Sequence, residues 1–124
     1  MHDFRRLHVW QKSRELFGAV DKLTRTFPRS DRGVVAGQLR RSAFSIPTNI
    51  AEGCGKSSPK ETVRFLQIAA GSVNETESHI VMATDLGFIR PKLSEELLVQ
   101  VVSIRKMLFR LSKHFSQRAQ NTGT

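Results

Sequence analysis

The string Gly53-Cys54-Gly55-Lys56-Ser57 ends the way a phosphate-binding loop ends, with a lysine to reach phosphates and a hydroxyl to hold magnesium. Its spacing is wrong for that chemistry. Such a loop needs a glycine five residues before its second one, where Ile50 stands, and it follows a strand, whereas the residues before it repeat with a helical period. Cys54 is the single cysteine, so no internal disulfide forms, and with no histidine near it in sequence it reads as a passive thiol. A di-metal bundle needs Glu followed three residues later by His, so that both ligands point inward. None of His2, His8, His79 or His114 has an acid at that spacing; Glu75 and His79 are four apart, the spacing of a surface pair. Glu77 is more informative, because Val73 and Ile80 place it on or beside a buried face, where a carboxylate needs a partner. Arg40 and Arg41 are the expected suppliers, as a structural ion pair between the second and third helices or, alternatively, as part of a ligand-facing site. No catalytic, cofactor or metal site emerges, and a non-enzyme is expected.

The elements that hold these residues are helices. Val9, Ser13, Leu16, Val20, Leu23 and Phe27 alternate spacings of four and three, which lines one face of a helix over about 8–27 that Pro28 ends. Val35, Leu39, Ala43, Ile46 and Ile50 define a second over 33–53. Pro47 interrupts its backbone bonding, and Ser42, Ser45 and Thr48 are placed to serve the freed carbonyl, with glycine allowing a left-handed end at 53–55. A third, 59–87, opens with Ser58 as cap, Pro59 at the first position and Glu61 completing a capping box. Gly71, among Ala69, Ala70 and Ser72, suggests close approach by a neighbouring helix of the same or another subunit. A fourth, 94–116, is capped by Ser94 and carries Leu97, Val101, Ile104, Leu108, Leu111 and Phe115, followed by a polar, frayed tail over 117–124. No run alternates like a strand. Short loops between four amphipathic helices indicate an all-α, antiparallel up-down-up-down four-helix bundle forming one domain over 1–116.

Twenty Lys and Arg stand against eleven Asp and Glu, a net charge of +9, which favours an anionic partner. No apolar run approaches a membrane span, and the opening residues lack the apolar stretch of a signal peptide, so a cytoplasmic protein with no membrane partner is expected. Lys12, Arg14, Arg105, Lys106, Arg110 and Lys113 lie off the apolar stripes and are the expected phosphate contacts. One tryptophan, no tyrosine and eight phenylalanines that mostly follow apolar stripes give little support for base stacking.

The block from Gln38 through Arg40, Arg41, Pro47, Asn49 and Glu52 to Gly53 resembles the hallmark of the small bacterial four-helix-bundle family associated with intervening sequences of 23S ribosomal RNA genes. Leu7 to Lys12 with Trp10, Phe27-Pro28, and Arg64 to Ala69 with Gly71-Ser72 and Glu75 to Glu77 extend the resemblance. It implies a ring-shaped homopentamer with a central channel. A related branch, the accessory variability determinant of diversity-generating retroelements, binds nucleic acid and a reverse transcriptase, so RNA or DNA and such a protein are the implied partners. Two functions stay open: an oligomeric protein that binds nucleic acid, above all structured RNA, or a homo-oligomeric scaffold in which Trp10, Pro47, Asn49 and the small patch serve an interface.

Overall fold

A computed structural model describes residues 3–31 and 33–122 and shows four α-helices, α1 His8–Thr24, α2 Val34–Cys54, α3 Pro59–Asp85 and α4 Pro91–Thr122, with no strand among the described residues. Short 3-10 turns at Phe4–Arg6 and Arg29–Asp31 precede α1 and α2. The apolar periodicity locates every helix, and the ends differ from the spacing for local reasons. α1 stops before Pro28 is reached, its end tightening to i→i−3 bonds from the Thr26 and Phe27 amides to the Leu23 and Thr24 carbonyls. α2 is capped from a distance: the Asp31 carboxylate accepts from the amides of Val35 and Ala36 at 2.9 and 3.1 Å, while Gly33 makes the left-handed entry at φ 78°.

α3 begins as its capping signal indicates, with the Ser58 hydroxyl accepting from the Glu61 amide at 3.2 Å. It ends in a reciprocal pair of backbone bonds, Phe88 N–H to Ala83 and Gly87 N–H to Thr84, around Gly87 at φ 81°. α4 starts at Pro91, so Ser94 is not its cap. Proline takes the first position without losing a bond, which moves Ser94 into the helix, where it is buried and accepts from Thr84 at 3.0 Å. The helix continues through the polar residues from Gln117 to Thr122; residues 123 and 124 of the expected tail lie outside the described residues.

Consecutive helices run antiparallel, as their contacts show. Asp21 meets Arg40 and Phe17 meets Phe44 between α1 and α2; Ser42 meets Thr76, and Gly53 meets Thr62, between α2 and α3; Glu77 meets Arg105, and Thr84 meets Ser94, between α3 and α4. Leu16, Leu39, Ile46, Ile80, Ile104 and Leu108 meet in a core that receives residues from all four helices. Each fully buried aliphatic side chain contributes roughly 1.5–3 kcal/mol.

The α2–α3 seam differs from the rest. A line of hydroxyls crosses it: Thr76 to Ser42 at 2.9 Å and Ser72 to Ser45 at 2.8 Å, with His79 Nδ1 3.1 Å from Ser42 Oγ. Small polar side chains let the two backbones approach, and each buried hydroxyl finds its partner across the seam or on its own helix. Pro47 is buried within α2, which continues across it. The nearby hydroxyls and amide serve other carbonyls than the one proline frees: Thr48 donates to Phe44, Ser42 to Leu39, and Asn49 to Ser45.

Candidate nucleic-acid interface

Antiparallel packing brings the start of α1, the end of α2, the start of α3 and the end of α4 to one end of the bundle. The segments gathered there, 3–16, 45–73 and 106–122, hold eleven of the twenty Lys and Arg but only four of the eleven acids. The opposite end is nearly balanced. Of those four acids, Asp3, Glu15 and Glu52 each sit in an exposed pair, with Arg5 at 3.1 Å, Lys12 at 3.7 Å and Lys56 at 3.5 Å. Arg5 holds the Asp3 carboxyl below the usual carboxylate range, chiefly through its side-chain hydrogen bond. Exposed pairs of this kind stabilise little and leave the surrounding field positive.

Lys106, Arg110 and Lys113 recur at four and three on α4, are exposed, and make no ion pair among the described residues. Arg110 borders a cavity of about 340 Å³ with His8 and His114, and Lys12 borders an adjoining cleft of about 430 Å³ with Gln100 and Ser103. Two of the six expected phosphate contacts, Lys12 and Arg110, therefore border the surface that α1 and α4 share, while Lys106 and Lys113 stand exposed on α4. Arg14 points elsewhere, its guanidinium 5.0 Å from the Trp10 ring on the side of α1 that faces α2.

Arg105 is engaged with α3, and this corrects the expected ion pair. It pairs with Glu77 and donates to Asn74 Oδ1 at 3.1 Å, so the partner of Glu77 comes from α4 rather than from Arg40 or Arg41. The cause is helical phase: Ser72, Thr76 and His79 occupy the α2 side of α3, and Glu77, about 100° round from Thr76, faces α4. Arg40 instead pairs with Asp21 while lying over Phe17 at 5.7 Å, and Arg41 is exposed. Because Glu77 and Arg105 keep 41% and 36% of their side-chain surface, a double-mutant cycle with Glu77→Gln and Arg105→Gln should give a coupling below about 1 kcal/mol in chemical denaturation. A coupling of several kcal/mol is the contrary result.

The remaining motif residues have packing roles. Asn49 donates to both Ser45 oxygens at 2.9 Å, exposed Glu52 pairs with Lys56, and Gly53 lets α3 approach: a Cβ there would lie 3.1 Å from Phe65 Cβ and 3.3 Å from the Thr62 carbonyl oxygen. Gly55 ends α2 with right-handed φ −84°, so close approach at Gly53, not a left-handed cap, uses the glycines of this segment. The Gly55 and Lys56 amides donate to Glu52 and Gly53, which leaves them unavailable to a phosphate. Burial pushes the Cys54 thiol up, consistent with a passive role. Gly71 has no neighbour within 4 Å of a notional Cβ, so no helix of the same chain approaches it.

One grouping was not legible in the linear pattern. Phe4, Trp10, Phe17 and Phe44 assemble along the α1–α2 groove, with Phe4 edge-on to Trp10 at 4.9 Å and Phe17 edge-on to Phe44 at 5.2 Å. The usable signal was phase: Phe17 and Phe44 each stand one residue beyond a core position, Leu16 and Ala43.

No helix among the described residues is long and apolar enough to cross a membrane. The family model described as 23S rRNA-intervening sequence protein matches residues 5–110. A crystal structure of a protein of unknown function from the S23 ribosomal protein family of Bacteroides thetaiotaomicron is similar, with TM-score 0.79 and 26% identity, over 85% of this chain and 98% of that one. Among curated proteins none gives a significant match.

Proposed function

For a chain that belongs to the family of 23S rRNA-intervening sequence proteins, we propose an oligomeric nucleic-acid-binding role, with structured RNA as the ligand class. The observation that carries this reading is the lopsided charge, most of the +9 excess lying at one end of the bundle where few acids stand against it. Lys12, Lys106, Arg110 and Lys113 are the phosphate contacts in this reading, Arg14 acts from the neighbouring groove, and Arg105 orients α3 against α4. Binding through such a surface is electrostatic and largely independent of sequence, since each neutralised phosphate releases counterion.

Titrating a structured RNA over about 50 to 200 mM salt tests it: affinity should fall by orders of magnitude, linearly in logarithmic coordinates. Absence of binding at the lowest salt removes the proposal. Assembly belongs to the same reading, as the homopentamer that the family resemblance implies. Supporting it, Val99, Phe109 and Leu86 keep 70, 69 and 58% of their surface exposed in the single chain, an apolar exposure that a subunit contact would cover. A chain that sediments as an oligomer yet binds no RNA would favour the scaffold alternative.

A further inference from the structure

The α1–α2 groove has a composition that neither the basic end nor the core requires. It is a cleft of about 340 Å³ walled by Phe4, Trp10, Phe17, Phe44 and Pro47, and its lining is almost wholly apolar. Phe44 keeps 57% of its surface exposed at this groove, which leaves a ring face open to a ligand. Guanidinium groups interleave with the rings. Arg5 lies 5.8 Å from Phe4, Arg14 5.0 Å from Trp10 and Arg40 5.7 Å from Phe17, so three of the four rings carry a cation and Phe44 carries none. The cations are unequal in what they can still bind. Arg5 is paired with Asp3, and Arg40 shares the Asp21 carboxylate with Arg25, whereas Arg14 and Arg41 at the groove's margin have no carboxylate partner among the described residues.

These features constrain the occupant. A purely apolar ligand would strip water from Arg14 and Arg41 without replacing it, and a bare phosphate would leave the rings unused. A chain in which flat rings alternate with negative charges satisfies both, and alternating aromatic and cationic side chains are how unpaired strands are held. We propose that this groove binds unpaired nucleotides, with Phe44 and Trp10 as stacking surfaces and Arg14 and Arg41 on the adjoining phosphates. This rests on the nucleic-acid reading above and deepens it: the basic end holds duplex phosphates, and the groove selects an RNA that also offers unpaired bases. An acidic, aromatic peptide is the competing occupant; it is disfavoured because rings and cations repeat along the whole groove rather than at one anchor.

Trp10 is the chain's single tryptophan, so its fluorescence reports this groove alone. A single-stranded RNA of about eight nucleotides should quench it saturably, a duplex of equal charge should bind without quenching, and an abasic strand should do neither beyond weak, salt-sensitive binding. Phe44→Ala, on an exposed side chain and checked by an unchanged melting curve, should weaken the single strand about tenfold or more and leave the duplex unaffected. If the single strand and the duplex bind alike, with Trp10 silent and Phe44→Ala neutral, the groove proposal fails while the nucleic-acid reading stands. If no nucleic acid binds at low salt, both fail. If an acidic aromatic peptide quenches Trp10 at lower concentration than the single strand, the groove belongs to a protein partner and the proposal is overturned.

Discussion

Exchanging Lys106, Arg110 and Lys113 together for glutamate should lower RNA affinity on the order of 100-fold at moderate salt, while leaving the helical signal and melting temperature nearly unchanged. The exchange removes six units of charge, taking the chain from +9 to +3, and all of the loss falls on the end of the bundle where positive charge has accumulated. None of the three side chains is buried and none makes an ion pair among the described residues, so the fold does not depend on them. The slope of log affinity against log salt should become shallower by roughly one for each phosphate contact removed. Changing Lys22, Arg90 and Lys92 to glutamate is the matched control, since these exposed side chains also make no ion pair among the described residues and the change removes equal charge from the balanced end. Equal losses from both triple variants would mean that net charge alone, rather than this surface, governs binding.

The second large effect concerns packing, and it divides two glycines that look alike in sequence. Gly53→Val should destabilise the fold by about 3 kcal/mol, lowering the melting temperature by roughly 4 °C per kcal/mol. A first carbon there already meets Phe65 Cβ at 3.1 Å and the Thr62 carbonyl oxygen at 3.3 Å, and neither belongs to the yielding tip of a side chain. α2 and α3 would have to separate, stretching the 2.9 Å bond from the Thr62 hydroxyl to the Gly53 carbonyl and disturbing the hydroxyl line beyond it. Gly71→Ala should act in the opposite direction, adding about 0.5–1 kcal/mol, because the site is helical, exposed and open, so alanine simply restricts the unfolded chain. Thermal denaturation of the two variants reads both signs. A Gly71→Ala protein that gains no stability and dissociates more readily would place a second chain against that face of α3.

Much of the architecture was legible before any coordinates. Leu16, Leu39, Ile80 and Leu108 announce their burial through spacing, because a helix repeats every 3.6 residues whatever surrounds it. Ser58 and Pro59 announce a helix start because capping is a contact among neighbours in the chain.

Other features depend on which helix lies beside which, and there sequence reasoning stopped short. Period gives the direction in which Glu77 leaves its own helix, but nothing local tells whether α2 or α4 stands there, so its partner is Arg105 rather than Arg40, which pairs with Asp21. The same reason hid the groove of Phe4, Trp10, Phe17 and Phe44, whose members come from three separate elements. Net charge is a sum and was readable from composition alone. Where it gathers is a matter of geometry: only antiparallel packing sets the start of α1 beside the end of α4 and turns scattered lysines and arginines into one surface.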